Sequence, residues 1–223
     1  MNDRWVLSCK YLIFDLDGTL VDSGDVVEKV WKIFSDRFGF DFEKDVLPIC
    51  HGRPAKYPLM ELMPTITQKE IDDVEKEFGE MEINMIDGLL PIKGAREFLT
   101  SIPCDRWAIA TSCSKKLALA RLKGAGLPVP KILVTAEMVE KAKPFPDPFL
   151  KAAELLEVSP SDCVVFEDSP AGISAGKSAG AVVIGINMTD TAKKISFPDF
   201  SINNMGEVRI ETAGGKLKIS KIR

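Results

Sequence analysis

The chain has 223 residues, of which 45% are hydrophobic, and it carries a formal net charge of −4 at pH 7. This length predicts a main domain with a smaller domain inserted into it, and the apolar content is sufficient for a packed core. A mildly acidic chain offers no positive field to a polyanion, so we expect no nucleic-acid partner.

The five cysteines are scattered and include no Cys-x-x-Cys pair: Cys9, Cys50, Cys104, Cys113 and Cys163. Their spacing argues against a zinc site and against a disulfide framework. Free thiols are typical of a reducing compartment, so we expect a cytoplasmic location. Asp15 and Asp17 interrupt the apolar run near the N-terminus. This pattern predicts neither a signal peptide nor a membrane span, and therefore no membrane partner.

Short apolar runs predict five buried strands, at residues 11–14, 107–110, 132–134, 163–166 and 181–186. Helical patterns lie between or beside them, at residues 115–123, 148–157 and 170–179. The last helix follows Ser169 and Pro170, a favoured N-cap and a favoured first helical residue. Strands that alternate with helices predict an α/β fold, in which helices cover both faces of a parallel sheet.

Residues 23–87 interrupt this alternation because they contain no strong strand pattern. Apolar residues mark one face of a first helix, at positions 27, 30, 31, 34 and 38. Thr67 and Glu70 form a capping box at the start of a second helix. This segment is therefore predicted to be a helical insert.

The expected domain boundaries follow from that insert. Residues 1–20 and 90–223 form the predicted core domain, and residues 21–89 form the predicted helical domain, with hinges at 18–24 and 87–94. The tail, at residues 207–219, alternates polar and apolar side chains around two glycines, which predicts a terminal hairpin.

Polar residues follow the ends of four predicted strands, where parallel sheets bind their ligands. They are Asp15 and Asp17, then Thr111, Ser112 and Cys113, then Lys143 in the loop after the third strand, and finally Glu167, Asp168 and Ser169. Each alone is compatible with an ordinary loop or helix cap. Together they bring carboxylates, a hydroxyl group and a lysine to one edge, which indicates a binding site.

These residue types suit phosphate chemistry. Closely spaced carboxylates repel one another unless a cation joins them, and oxygen ligands without His or Cys favour a hard ion, most simply Mg²⁺. A lysine and a hydroxyl group would complete a phosphate site. The chain has no P-loop motif. A carboxylate can attack phosphorus itself, while a second carboxyl group two residues later can exchange protons.

The sequence resembles the haloacid dehalogenase-like hydrolase superfamily. Four segments carry the resemblance, at residues 14–22, 110–112, 143–144 and 165–172. The helical insertion between the first two segments is similar to that of the C1-cap subclass. Several short stretches of sequence resemble the sugar-phosphatase and glycerol-phosphatase branch of that subclass. The resemblance implies a Rossmann-like core, a cap over the active site and, by analogy with the cap type, a monomer.

The resemblance also implies a role for each acidic residue. Asp15 would be the nucleophile and a ligand of Mg²⁺. Asp17 would be the general acid and base, with its backbone carbonyl on the metal. Asp168 would be the third protein ligand, and Glu167 would lie at the metal site and contact the ion through water.

Other residues would hold the phosphate. Ser112 and the backbone N–H of Cys113 would bind the transferring group, and Lys143 would neutralise charge on it and on Asp15. His51, Gly52 and Arg53 are expected on a cap loop that contacts substrate, because glycine permits close approach and arginine can bind hydroxyl or phosphate oxygens. The alternative for this loop is an ordinary turn with a surface arginine.

The expected function is therefore a Mg²⁺-dependent phosphatase that hydrolyses a small phosphorylated sugar or polyol through a phospho-aspartate. One alternative is an isomerase similar to β-phosphoglucomutase. Those mutases carry a histidine ten residues after the second aspartate, where this chain has Val27. The other alternative is a non-enzymatic phospho-ligand binder, which would not need the acid at Asp17.

Overall fold

The computed structural model describes residues 4–50, 54–187 and 197–222. The described strands are, in chain order, β1 (Val6–Cys9), β2 (Tyr11–Phe14), β3 (Val21–Asp22), β4 (Leu90–Pro91), β5 (Trp107–Ala110), β6 (Ile132–Val134), β7 (Cys163–Glu167), β8 (Val182–Ile186), β9 (Phe200–Ile202), β10 (Val208–Ala213) and β11 (Lys216–Lys221). The α-helices are α1 (Gly24–Phe38), α2 (Lys56–Leu62), α3 (Gln68–Asn84), α4 (Ala95–Thr100), α5 (Lys115–Gly124), α6 (Asp147–Leu155) and α7 (Pro170–Ser178).

The main sheet has six described strands in the order β6-β5-β2-β7-β8-β9, and every neighbouring pair is parallel. The chain first adds β5 and β6 on one side of β2 and then returns to place β7 on the other side. The strand order therefore reverses around β2, which puts a binding crevice at its carboxyl end. The predicted α/β fold with a Rossmann-like parallel sheet is confirmed.

Side chains point alternately to the two faces of this sheet, and each face packs into its own apolar cluster. Leu12 and Phe14 of β2 face one apolar cluster, and the Phe14 ring stacks on Phe166 of β7 with 4.9 Å between ring centroids. Ile13 faces a second cluster, which includes Phe149 of α6 and Val165 of β7. Continuous apolar runs are typical of strands covered on both sides, which is why four residues sufficed to predict β2.

Two helices begin at the carboxyl edge of the sheet and have side-chain caps. Ser114 Oγ accepts a hydrogen bond from the backbone N–H of Leu117 at the start of α5. Ser169 Oγ accepts one from the N–H of Gly172 at the start of α7, and Pro170 is the first residue of that helix. These caps fix where the two helices start relative to the strands that precede them.

The helical insert has an apolar core of its own. Trp31 and Phe34 of α1 pack against Phe78 of α3, with ring centroids 4.9 Å and 5.7 Å from the Phe78 ring. Helix α3 begins with the predicted capping box, since Thr67 and Glu70 exchange hydrogen bonds. The predicted helical pattern is confirmed; the division of the chain into two domains, at residues 21–89, stays a prediction.

The two connections between insert and core run side by side. β3 and β4 pair antiparallel, with Val21 opposite Pro91 and Asp22 opposite Leu90. They fall within the two segments predicted as hinges. The insert is thus joined to the carboxyl edge of the sheet by one two-stranded ribbon, whose first strand is the end of the segment at residues 14–22.

A second sheet was predicted only in part. The terminal hairpin is confirmed, because β10 and β11 pair antiparallel across a turn at Gly214 and Gly215, both with positive φ. β11 also pairs with β1, which the sequence did not predict. A single residue, Lys10, separates β1 from β2.

Candidate active site

The carboxyl edge of the main sheet opens into a cavity of about 770 Å³. Asp15 follows β2 directly, and Asp168 follows β7. The cavity is lined from the sheet by Asp15, Asp17, Ser112, Cys113, Lys143, Glu167 and Asp168, and from the insert by Val27, Trp31, Phe78 and Glu82, among others. The insert therefore forms the opposite wall of the site.

Three carboxylates lie together at the base of this cavity. One oxygen each from Asp15, Glu167 and Asp168 lies within 4.8 Å of the others. Two glycines make room for them: a Cβ on Gly18, which has φ +76°, would lie 2.0 Å from Asp168 Oδ2, and one on Gly172 would lie 1.6 Å from Glu167 Oε1. A cluster of oxygen donors without nitrogen or sulfur fits a hard divalent cation.

Burial makes it unfavourable for all of these carboxyl groups to be charged together. Burial raises the pKa of Asp15 to about 7; Lys143 opposes the shift, and Glu167 and Asp17 add to it. Burial also raises the pKa of Asp168 well above its ordinary value, with the charges of Glu167 and Asp15 adding to the effect. Elevated pKa values in a shared carboxylate site are what a bound metal ion would reverse.

Lys143 provides positive charge within the cluster. Its Nζ donates to Asp15 Oδ1 at 2.5 Å and to Glu167 Oε1 at 2.7 Å, and the side chain is buried. Burial lowers the pKa of Lys143, but the charges of Asp15 and Glu167 outweigh it, so the net shift is upward. Lys143 is therefore a permanent cation beside Asp15.

Glu167 is fully engaged by protein groups. Its Oε1 accepts from Lys143, and its Oε2 accepts from the backbone N–H of Ser169 at 2.8 Å and from Ser169 Oγ at 3.0 Å. Glu167 thus orients Lys143 and joins β7 to the start of α7. Its predicted contact with a metal ion through water stays a prediction.

Asp17 occupies a separate position, and its carboxylate is not part of the three-residue cluster. Ser23 Oγ donates to Asp17 Oδ1 at 2.7 Å. Asp17 Oδ2 accepts from Cys113 Sγ at 3.0 Å and lies 2.5 Å from Nη1 of Arg121. The predicted contact of its backbone carbonyl with the metal stays a prediction.

The loop after β5 is present at the cavity as predicted. Ser112 is exposed and lines the cavity. The backbone N–H of Cys113 donates to Thr111 Oγ1 at 3.1 Å. Phosphate binding by Ser112 and by this N–H stays a prediction, and the Cys113 N–H would have to exchange its present partner.

His51, Gly52 and Arg53 lie outside the described residues. Their described neighbours Cys50 and Pro54 both line the cavity. The predicted role of this segment in substrate binding therefore stays a prediction.

Sequence reasoning missed two charged residues of the site, Arg121 and Glu82. Arg121 lies on the buried side of α5, beside Leu117, Ala118 and Leu122. Glu82 lies four residues after Phe78 on the buried face of α3. In each case the sequence shows a charged residue at an apolar position of a helix. Such a residue indicates a buried charged partner, because charged residues are rarely buried without one.

The profile of a protein family described as haloacid dehalogenase-like hydrolase matches residues 12–186, and the chain belongs to this family. Hexitol phosphatase A from Escherichia coli is 37% identical over 209 residues, covering 92% of this chain and 95% of that protein. Glycerol-1-phosphate phosphohydrolase 2 from Saccharomyces cerevisiae is 34% identical over 190 residues, covering 79% of this chain and 74% of that protein.

Solved structures agree with this assignment. The crystal structure of a HAD hydrolase, family IA, variant 3, from Entamoeba histolytica has a TM-score of 0.79 at 27% identity, covering 90% of this chain and 95% of that one. The predicted family and the predicted enzyme class, a phosphoric monoester hydrolase, are confirmed. Within the described ranges, no helix is long and apolar enough to cross a membrane.

Proposed function

We propose that this protein is a Mg²⁺-dependent phosphatase of a small sugar or polyol phosphate, and that Asp15 is transiently phosphorylated. The observation that carries the proposal is the position of Asp15. It lies at the base of a large cavity, in contact with a buried lysine and within an acidic cluster suited to a cation. We further propose that the enzyme is cytoplasmic, in keeping with its five free cysteines, and that it acts as a monomer, by analogy with the cap type.

Asp15 has the environment that a carboxylate nucleophile requires. The adjacent ammonium group of Lys143 favours the charged form of the carboxyl group, and only that form attacks phosphorus. Lys143 would then stay beside the transferring phosphoryl group and offset the negative charge that develops on its oxygens. Ser112 and the Cys113 N–H would supply hydrogen bonds on the opposite side of that group.

The same residues would hold Mg²⁺. Asp15, Asp168 and the backbone carbonyl of Asp17 would be its protein ligands, with Glu167 reached through water. The ion would neutralise charge on the acidic cluster and on the phosphate oxygens. Mg²⁺ is the simplest choice because the donors are oxygen atoms and phosphate is the expected partner.

Asp17 would move the protons of the reaction. Its side chain lines the cavity outside the acidic cluster. From there it would face the leaving oxygen of the substrate while Asp15 attacks on the other side. Protonated Asp17 would give its proton to the leaving oxygen as the P–O bond breaks, so that this group departs as the alcohol. The resulting carboxylate would then remove a proton from the water that hydrolyses the phospho-aspartate.

The size and lining of the cavity support a small polar substrate. About 770 Å³ exceeds the volume of a phosphoryl group and leaves room for a sugar or polyol. Trp31 and Phe78 line the wall formed by the insert, and Glu75 and Lys76 add polar groups. The names of two relatives, a hexitol phosphatase and a glycerol-1-phosphate phosphohydrolase, agree with this class. His51, Gly52 and Arg53 are the proposed substrate loop.

An isomerase remains the second candidate, because the mutases of this superfamily share the same motifs. At the position of their histidine this chain has Val27, which lines the cavity but has no nitrogen to exchange protons. The two functions are separated by ³¹P NMR with glucose 1-phosphate and a trace of the bisphosphate. Free phosphate is expected, and net isomerisation without it would favour the mutase.

The proposed function is tested by measuring phosphate release from sugar, polyol and nucleotide monophosphates, with and without Mg²⁺. Hydrolysis of a sugar or polyol phosphate is expected with Mg²⁺ and not after chelation. Asp15→Asn should abolish it, while Asp36→Asn, at an exposed position of α1, should not. Arg53→Ala is expected to change the order of preferred substrates. Preference for nucleotides, or retained activity in Asp15→Asn, would contradict the proposal.

A further inference from the structure

We propose that Arg121 and Glu82 are positioning residues that hold the side chain of Asp17 and connect it to the helical insert. This inference rests on the proposed role of Asp17 as general acid and base. Neither residue belongs to the four segments that define the family resemblance. Both line the cavity and both are buried, with 4% of Arg121 and 8% of Glu82 exposed.

One guanidinium group joins two carboxylates from different parts of the fold. Nη1 of Arg121 lies 2.5 Å from Asp17 Oδ2 and donates to Cys113 Sγ at 2.8 Å. Its Nη2 donates to Glu82 Oε2. Arg121 is on α5, which follows the segment at residues 110–112, whereas Glu82 is on α3, the last helix of the insert. The contact therefore connects the two walls of the cavity.

The burial of this arginine is not explained by stability. Taking a guanidinium group and a carboxylate out of water costs several kcal/mol per ion, and an apolar pair of similar size is often as stable or more stable. An arginine on the apolar face of a Leu- and Ala-rich helix therefore indicates a requirement for its charge and geometry. Arginine suits the task because its planar group presents separate nitrogens to two acceptors, whereas lysine presents a single point.

The contacts of Asp17 fix its carboxylate from three directions. Ser23, directly after β3, holds Oδ1, whereas Cys113 and Arg121 hold Oδ2. Without Arg121, Asp17 would lose its charged partner and the contact that relates it to α3. Glu82 acts one step further away, because it holds the second nitrogen of Arg121 and so fixes the plane of the guanidinium group.

Among the described residues of the site, two buried cations each bridge a pair of carboxylates. Lys143 bridges Asp15 and Glu167, and Arg121 bridges Asp17 and Glu82. The first pair places the nucleophile, and the second places the proton donor. Because the two aspartates have different tasks, loss of Arg121 should affect the departure of the alcohol and not the attack by Asp15.

Substrates with different leaving groups distinguish these effects. An alkoxide leaving group needs a proton from Asp17 as it departs, whereas p-nitrophenolate is stable as an anion and departs without one. We therefore compare kcat/KM for glycerol 1-phosphate, or the polyol phosphate that the wild type prefers, with kcat/KM for p-nitrophenyl phosphate. For Arg121→Met, a loss of about 10²-fold is expected with the alkyl ester and less than about tenfold with the aryl ester, within the usual range for general acid catalysis.

The matched variants define the role of each residue. Arg121→Lys should recover part of the loss, and Glu82→Gln should show a smaller loss with the same leaving-group dependence. Lys123→Met, at an exposed position of the same helix, is the control and should match the wild type. In an Asp17→Asn background, Arg121→Met should cause little further loss of kcat/KM, because the residue that it positions is already absent.

Three results would overturn the inference. A raised KM for both substrates with unchanged kcat would make Arg121 a substrate-binding residue. Equal losses for alkyl and aryl esters together with a lowered Tm would make it structural. Additive Tm losses for Arg121→Met and Asp17→Asn would deny their contact, and this measurement needs no substrate. Failure of the proposed function is separate, because it would appear as an inactive wild type or an active Asp15→Asn enzyme.

Discussion

Lys143 and Asp15 form a buried ion pair across 128 positions of the sequence, with 2.5 Å between Nζ and Oδ1. The fold brings them together because Asp15 follows the central strand β2, while Lys143 lies in the loop after β6 at the same edge of the sheet. Glu167 holds the lysine from the other side at 2.7 Å. The arrangement places one fixed positive charge beside the proposed nucleophile.

Replacing Lys143 by Met should lower kcat about 10²- to 10³-fold, because the charge on the transferring phosphoryl group loses its partner. The variant should also be less stable, since Asp15 and Glu167 would be buried without a cation. Steady-state kinetics and urea unfolding measure the two effects. Lys141→Met removes an exposed lysine nearby and should change neither; similar losses in both variants would contradict the role of Lys143.

Gly172→Ala tests the room that the structure leaves for Glu167. A Cβ at this position would lie 1.6 Å from Glu167 Oε1, so the glutamate must move and release Lys143. We expect kcat to fall about tenfold or more and stability to decrease by about 1–3 kcal/mol, as for other overpacked sites.

Gly79→Ala is the matched control for that substitution. A Cβ on Gly79, within α3, has nothing within 4 Å. Its stability should be unchanged or about 0.5–1 kcal/mol higher, because alanine is the better helix former. Equal losses of stability at the two positions would indicate that the close approach of Gly172 to Glu167 is not what matters.

The metal-free protein should become less stable as the pH rises from about 4 to about 8. Burial raises the pKa of Asp15 from 3.8 to about 7, so the folded chain binds this proton more tightly than the unfolded chain. The resulting stabilisation is complete below about pH 3.8 and is lost as the pH rises through about 7. Asp168 shifts in the same direction. Urea unfolding in chelator should show this slope, and Asp15→Asn should show a weaker one.

Mg²⁺ should reverse that dependence. The ion binds the charged carboxylates of the folded chain and competes with protons, so the increase in Tm on adding Mg²⁺ should be larger near pH 8 than near pH 5. Differential scanning fluorimetry measures the increase at each pH. Asp168→Asn should reduce it strongly, while Asp36→Asn, at an exposed site of α1, should leave it unchanged. An increase that is equal at both pH values would count against binding at this cluster.

The positions of Asp15, Ser112, Lys143 and Asp168 were predictable because parallel strands bring their carboxyl ends to one edge. The buried strands are recognisable as continuous apolar runs, and the residue that follows each run therefore lies at that edge. The sequence could not show which partner each side chain selects. Glu167 lies in the acidic cluster where a metal ion was expected, but its hydrogen bonds with Lys143 and Ser169 were not predictable from the sequence.

Arg121 and Glu82 escaped prediction for a related reason. Their burial depends on packing between α5 and α3, two helices 30 or more residues apart in the sequence. The pattern of each helix shows a buried face but not the helix that covers it, so a charge on that face has no visible partner. Strand β1 was missed because its partner, β11, lies at the other end of the chain.

Trapping the covalent intermediate tests the central claim most directly. The wild type is mixed with excess polyol phosphate and Mg²⁺, quenched rapidly in acid and digested, and its peptides are measured by mass spectrometry. One phosphoryl group is expected on the peptide that contains Asp15, with none in Asp15→Asn and no turnover by that variant. A phosphoryl group on another residue, or hydrolysis by Asp15→Asn at a rate near that of the wild type, would contradict the assignment of Asp15 as the nucleophile.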